Sequence, residues 1–403
     1  MSILRAFSSA ASRPFFTPPI EGVNGSNYWE KIEQLSTPAQ GLWSLWMNNE
    51  ATEVYASGAE AYPFYNRTRI FTKATGQWEL AVPNLDIRDS QEQVVVGVKV
   101  SKDGRRSYGM QGIPYYGGNQ FIIVEKNNGQ WTSYAIDGDS LYSSSQADYA
   151  ISSNGNAVFH SVPRYTTRFT KLFKFENSSW KLKLGFTPVY TYFPNYILPI
   201  CYLNADGSRF GIGGGDYSGV CTTHLYEHVV LQNGSDSFPT LGDPITFQTK
   251  GVMRSLLLND EGNRVAALIA VGEYQNDYYV EVWEFNGTSW NILGAPVNTG
   301  GLIGVSFTYA SLNIDGRWFS YDGNRFIGRQ MAGPSNNTRA VQAYKWNGSS
   351  WVTMGQQIKG KAENYNFGAR VWLNDNATKF AVSGGKDPNN LLEESVAIYR
   401  YIS

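Results

Sequence analysis

Val280-Glu281-Val282-Trp283-Glu284-Phe285-Asn286-Gly287-Thr288-Ser289-Trp290 reads as a strand, a tight turn and an aromatic that opens the next strand. Neighbours in the first half alternate between faces, Val282 opposite Glu281 and Glu284 opposite Trp283, which is the period of a strand and not of a helix. The turn and its aromatic return in Asn347-Gly348-Ser349-Ser350-Trp351. Followed outward along the chain, the aromatic anchors are Trp29, Trp78, Trp131, Trp180, Phe238, Trp290 and Trp351, seven in all.

A second turn also recurs seven times, each copy after a hydrophobic run. The copies are Met47-Asn48-Asn49-Glu50-Ala51, Ser101-Lys102-Asp103-Gly104, Ser153-Asn154-Gly155, Leu203-Asn204-Ala205-Asp206-Gly207, Leu258-Asn259-Asp260-Glu261-Gly262, Asn313-Ile314-Asp315-Gly316 and Leu373-Asn374-Asp375-Asn376-Ala377. With Ala51, Gly104, Gly155, Gly207, Gly262, Gly316 and Ala377 as equivalents, the steps are 53, 51, 52, 55, 54 and 61 residues. Four short strands, A to D, fit each unit. The expectation is an all-β fold, a seven-bladed β-propeller of four-stranded antiparallel blades. The last unit stops after strand C at Val396-Ala397-Ile398-Tyr399-Arg400-Tyr401, while an orphan strand D starts at Asn24-Gly25-Ser26-Asn27-Tyr28-Trp29. An N-terminal strand that completes the C-terminal blade would close the ring and remove a bare sheet edge. Residues 1–23 are then an N-terminal arm and 24–403 the propeller.

Composition narrows the function classes. Aromatic residues are 15% and charged residues only 17%, with a formal net charge of −1 and no long basic or acidic run. Nothing here attracts a nucleic-acid backbone or an anionic membrane, and no apolar stretch has the length of a membrane span. Cys201 and Cys221 fall on non-adjacent strands of one blade and are expected as free thiols. The Asn-x-Ser/Thr triplets at Asn177, Asn233, Asn286 and Asn347 coincide with the repeat's own turns, where Asn and Gly are wanted for positive φ.

Catalytic and metal-binding patterns are sparse. His224 and His228 are too far apart along one strand to share a Zn²⁺, and with His160 they read as surface or inter-blade histidines. Gly211-Ile212-Gly213-Gly214-Gly215-Asp216 has the glycines of a phosphate loop but no following helix, so it reads as a B-to-C hairpin. Asp137-Gly138-Asp139 lacks the Asp-x-Asp-x-Asp-Gly ladder of a calcium loop. No Ser-His-Asp set or repeated carboxylate pair emerges; no catalytic residue, metal or cofactor is expected.

Aromatic content is uneven. The B-to-C and D-to-A connections carry Tyr62, Phe64, Tyr65, Tyr115, Tyr116, Tyr190, Tyr192, Phe193, Tyr196 and Tyr365, with Phe326 and Phe367 assigned to the same set. Tyr-rich loops on a rigid scaffold suit recognition, since Tyr brings large contact area at little entropic cost. The arm holds Arg5 and Arg13 with many Ser and Ala and no acid up to Phe16, a composition like a mitochondrial transit peptide. It has no apolar core of a secretory signal. It is expected to act as a docking arm on other protein subunits, with Phe7, Arg13, Phe15 and Phe16 as contacts.

The units Val282 to Gly294 and Tyr344 to Gly355 resemble the degenerate propeller repeats, related to the FG-GAP and kelch-like classes, of marine microbes and their large DNA viruses and phages. The resemblance spans residues 24–403 and is specific in the fifth and sixth units. It implies an interaction scaffold. Integrin-type FG-GAP blades carry calcium ladders that this chain lacks, so metal-dependent binding is not implied. The expected function is a non-enzymatic structural or attachment protein of a virus particle, with a protein or host glycan on its aromatic face. The alternative is a lectin or adhesin-like propeller of a cellular organism, mitochondrial or secreted if the arm is a targeting segment. A multivalent lectin would repeat the same groups in every blade, and these loops differ from blade to blade.

Overall fold

The computed structural model describes residues 27–37, 41–59, 66–73, 76, 78–85, 95–113, 118–128, 130–136, 148–164, 167–186, 200–215, 219–271, 277–300, 316–331, 339–360, 367–387 and 390–403. They form an all-β, seven-bladed propeller. From the axis outward, the first blade is Gly41–Met47, Glu53–Ala59, Asn66–Lys73 and Trp78–Leu85. The second is Val95–Val100, Arg106–Ile113, Gly118–Asn127 and Gln130–Ala135. The third is Asp148–Ile151, Ala157–Arg164, Thr167–Glu176 and Ser179–Phe186. The fourth is Ile200–Leu203, Arg209–Gly215, Cys221–Glu227 and the short Ile245–Thr246. The fifth is Val252–Leu258, Arg264–Val271, Asp277–Phe285 and Trp290–Ile292. The sixth has Arg325–Met331, Arg339–Trp346 and Trp351–Lys359, with Phe319 bridging Phe326 on its inner side.

The seventh blade runs Val371–Leu373, Lys379–Asp387 and Asn390–Ile402, and its outermost strand is Tyr28–Thr37 from the other end of the chain. That strand pairs antiparallel with the last one from Tyr28 opposite Ile402 to Thr37 opposite Glu394. The ring closes as the orphan strand D foretold. Trp29 is the pin: it is 2% exposed, lies 4.7 Å from Phe380 and 5.1 Å from Tyr401 between ring centroids, and donates its indole N–H to the Met354 carbonyl at 2.8 Å.

The A-to-B turns are seven copies of one device. Each opens on Asn48, Ser101, Ser152, Asn204, Asn259, Ser320 or Asn374, whose side-chain oxygen accepts the backbone N–H five residues on. Each has a left-handed residue three positions after the opener: Ala51, Gly104, Gly155, Gly207, Gly262, Gly323 and Ala377, with φ between 50° and 70°. Asn and Ser serve because their short polar side chains close such turns on the backbone. The sixth blade corrects the sequence reading. Its turn is Ser320-Tyr321-Asp322-Gly323, not Asn313 to Gly316, so the long step of the repeat precedes the sixth turn.

Blades are latched by the first residue of strand B. Arg106 donates to the Gly155 carbonyl of the next blade, Arg209 to Gly262, Arg264 to Gly323, Arg325 to Asn376, and Lys379 to Glu50 across the closure. Behind the turns, Arg106, Arg209 and Arg264 are held on their own blade by Glu125, Glu227 and Glu284. Two junctions differ. Blade one reaches across with Tyr55, whose hydroxyl donates to the Gly104 carbonyl, and with the Glu53–Lys126 pair. At blade three the latch residue is Ala157, and a Cβ on Gly207 would fall 2.2 Å from its methyl group, so the small residue lets the next turn sit directly on it.

The outer strands carry a second set of pins. Trp290 donates to the Leu241 carbonyl of the preceding blade and Trp351 to Leu293, as Trp29 does to Met354. The residue after each acceptor is a left-handed glycine, Gly242, Gly294 or Gly355, over which the next blade's ring closes. A buried N–H or indole donor left without an acceptor costs about 1–3 kcal/mol, which explains why ring and glycine occur together.

Three turn carboxylates set the acid behaviour of the fold. The His228 imidazole bonded to Asp236 at 2.7 Å holds that carboxyl below its ordinary range. Burial pushes Asp206 and Asp322 up, but donors from Ser208 and from Ser320 and Asn324 outweigh it and leave both lowered. A carboxyl lowered in the folded state adds stability that is complete above its unfolded pKa, about 3.9, and lost as pH falls through the folded value. The urea midpoint, followed by Trp fluorescence, is expected to change little on account of these groups from about pH 7 to pH 5 and to drop below about pH 4. Asp236→Asn should flatten part of that drop.

Candidate functional site

The residues expected to bind a partner, Phe7, Arg13, Phe15, Phe16, Tyr62, Phe64, Tyr65, Tyr115, Tyr116, Tyr190, Tyr192, Phe193, Tyr196 and Tyr365, lie outside the described residues, as do Asp137 to Asp139. Phe326 and Phe367, assigned with them to the loop face, are described and buried. Phe326 is inside strand Arg325–Met331, stacked on Tyr344 at 4.8 Å, and Phe367 packs over Gly360. Both are core residues. The glycine run Gly211 to Gly215 is a strand rather than a hairpin; a Cβ on Gly211 would fall 2.2 Å from the Tyr202 hydroxyl, and one on Gly213 would fall 2.9 Å from Thr223. Cys201 and Cys221 are buried free thiols.

The histidines are structural. His160 is 1% exposed, stacked on Phe121 at 4.2 Å across the junction of blades two and three and hydrogen-bonded to the Tyr108 hydroxyl at 2.5 Å. His228 stacks on Phe238 and meets Asp236. Among the described residues no cluster of His, Cys, Asp or Glu has the arrangement of a metal site, and no helix is long and apolar enough to cross a membrane.

Two features of the described surface can do chemistry or binding. The first is the axis. Inner strands from all seven blades line a cavity of about 100 Å³, with Ser44, Lys99, Tyr149, Arg254, Arg317 and Trp372 on its wall. The A-to-B turns close its floor. Backbone N–H groups step from one turn to the next, Lys102 to Ser153, Ala205 to Asp260 and Asp260 to Tyr321. Above them Lys102 reaches Asp375 at 3.1 Å and Asp260 at 3.3 Å, while Ser153 donates to Asp260 at 2.8 Å. Arg317 lies over the Tyr321 ring at 3.7 Å, and burial pushes that Tyr hydroxyl far above its ordinary pKa. Cationic character extends from Arg254. Burial lowers Arg254, which interacts with Tyr278, and Tyr278 in turn feels Arg329 and Arg339. Burial, then the neighbouring Arg339, lowers Arg329 to about 9.

The second feature is a hairpin that sequence reading missed. Elsewhere among the described blades, strands C and D are joined by a few residues, but in blade four Val229–Val230 and Asp236–Ser237 pair as a projecting two-stranded ribbon. It is braced at its base, where Asp236 meets His228 at 2.7 Å and Lys183 of blade three at 3.7 Å. Its tip exposes Val230 (59%) and Leu231 (46%); with Leu182 these are the exposed large hydrophobic residues among those described. The signal was available in Val229-Val230-Leu231-Gln232-Asn233-Gly234, an apolar run into an Asn-Gly turn.

No family model matches this sequence, and no curated protein does. Solved structures do. The β-propeller domain of Cps50 (Swd1) from Myceliophteria thermophila superposes with a TM-score of 0.52 at 9% identity, over 93% of this chain and all of that domain. TolB from Acinetobacter baumannii gives a TM-score of 0.41 at 13% identity over 79% of this chain; the chain spans 65% of TolB. The fold and these likenesses define the chain as a seven-bladed β-propeller, a fold consistent with a protein-interaction scaffold.

Proposed function

We propose that this chain is a non-enzymatic interaction scaffold within a larger assembly, held by residues 1–23 and presenting the propeller to a protein partner or host surface. What carries the reading is the braced hairpin: a rigid, circularly closed ring offers Val230 and Leu231 to solvent on a support that does not yield, and exposed apolar residues on a fixed projection mark contact surfaces. The resemblance to FG-GAP and kelch-like repeats of large DNA viruses and phages makes a virus particle the proposed setting, with Tyr-rich loops as a second contact face. A lectin-like role is the other reading, favoured only if glycans bind.

Full-length protein, residues 24–403, and the full chain with Val230→Ser and Leu231→Ser are to be compared by light scattering and by pull-down from the native assembly. The scaffold reading expects residues 24–403 to stay folded but monomeric and unbound, and the hairpin variant to lose at least one partner. Equal binding of glycans by all three, with no assembly contact, would overturn it in favour of the lectin.

A further inference from the structure

We propose that the axial cavity is a binding site for one small oxyanion of the carboxylate type, gripped by Arg254 and Arg317. The two arginines stand on the inner sides of neighbouring blades, five and six, and both line the cavity. Among the described residues, Lys99, Lys102, Arg254 and Arg317 bring four positive charges to the wall, and Asp148 is the acid on it. Counting the floor acids Asp260 and Asp375 as well leaves three negative charges.

The acids are already engaged. Asp148 accepts the Cys201 backbone N–H at 2.6 Å, and Asp260 is taken by Lys102, Ser153 and Arg317. Arg317 spends its Nη2 on the Leu258 carbonyl at 3.3 Å and on Asp260 at 3.5 Å, while its Nε is buried without a hydrogen-bond acceptor. An excess charge in a low-dielectric space is costly unless it is answered, and a buried donor likewise calls for an acceptor. One oxyanion answers both. Guanidinium groups match a carboxylate in shape as well as charge, since their planar N–H forks meet two oxygens at once.

Size sets the class. A cavity of about 100 Å³ has room for about three waters at roughly 30 Å³ each, so the occupant has only a few heavy atoms. Formate and acetate meet that limit; a sugar or nucleotide does not. The inference is independent of the scaffold reading and can fail while that reading stands.

The test is calorimetric titration of the full chain with sodium formate, sodium acetate and sodium phosphate against sodium chloride at matched ionic strength. Variants are Arg254→Met, Arg317→Met and, should the latter not fold, Arg317→Lys, with Arg105→Met on an exposed turn as control. The expected result is one-to-one binding of formate or acetate, weakened about tenfold or more by the Arg254 and Arg317 changes and unchanged by the Arg105 change. Absence of saturable heat with every anion means that water alone fills the cavity and overturns the proposal. So does binding that all variants share, which would place the anion elsewhere.

Discussion

Trp29→Ala is expected to destabilise the protein by about 3–5 kcal/mol, the range for removing a buried aromatic from a packed core. The ring sits against Phe380 and Tyr401, and its N–H holds Met354 of blade six, so the change opens a hole and leaves a buried carbonyl unanswered at once. Deleting residues 1–37 should go further. The last strand of the chain would lose its antiparallel partner from Ser395 to Ile402, and blade six would lose the Gln356 contacts to the Trp29 backbone. A propeller without its closing strand exposes an unpaired edge of apolar alternation, and such edges pair with other chains. Urea denaturation followed by fluorescence should show a lower midpoint for Trp29→Ala, and the deleted chain should lose a single cooperative transition and aggregate. A deleted chain that unfolds with the native midpoint would mean that the strand is an ornament on a ring held by other contacts.

Gly316→Ala should cost about 3 kcal/mol or more, while Gly323→Ala should cost about 1 kcal/mol. Both glycines follow an Asp, and sequence alone favours Gly316 as the turn residue. In the fold, Gly323 has φ +70° in the sixth A-to-B turn, a position that Ala51 and Ala377 fill in blades one and seven. A Cβ there would meet the flexible Arg264 side chain at 2.8 Å. Gly316 has φ +146° beside the innermost strand of blade seven, and a Cβ would fall 2.1 Å from the Val371 carbonyl oxygen. Backbone cannot step aside there without spreading two blades. Thermal and urea unfolding of the two variants side by side decides the register: equal costs, or the larger one at Gly323, would restore the turn to Asn313–Gly316.

Much of this architecture was legible because the repeat is written in residues with local jobs. Asn and Ser open the turns, left-handed Gly or Ala ends them, and Trp29, Trp290 and Trp351 pin the outer strands, so spacing alone yielded blade number and the closing strand. The sixth turn misled because Asn313-Ile314-Asp315-Gly316 and Ser320-Tyr321-Asp322-Gly323 are both good local turns; only pairing with Arg325 to Met331, a tertiary fact, chooses between them. The Arg latches were unreadable for the same reason. Arg106, Arg209, Arg264 and Arg325 look like surface charges until the next blade's turn is set against them. Glycines in Gly211 to Gly215 suggested a loop because their purpose, room for Tyr202 and Thr223, lies on other strands. Site residues were harder still. Aromatic content marked the loops, whereas the apolar projection at Val230 and Leu231 depends on a ribbon braced from a neighbouring blade.

Hydrogen exchange of the intact protein is the most direct measurement of the closed ring. Backbone amides of Tyr28–Thr37 and of residues 395–402 should exchange together, protected to the level of global unfolding, because the first strand is the outer member of the seventh blade. Rapid exchange of Tyr28–Thr37 while the last strand stays protected would show that the N-terminal strand does not close the propeller.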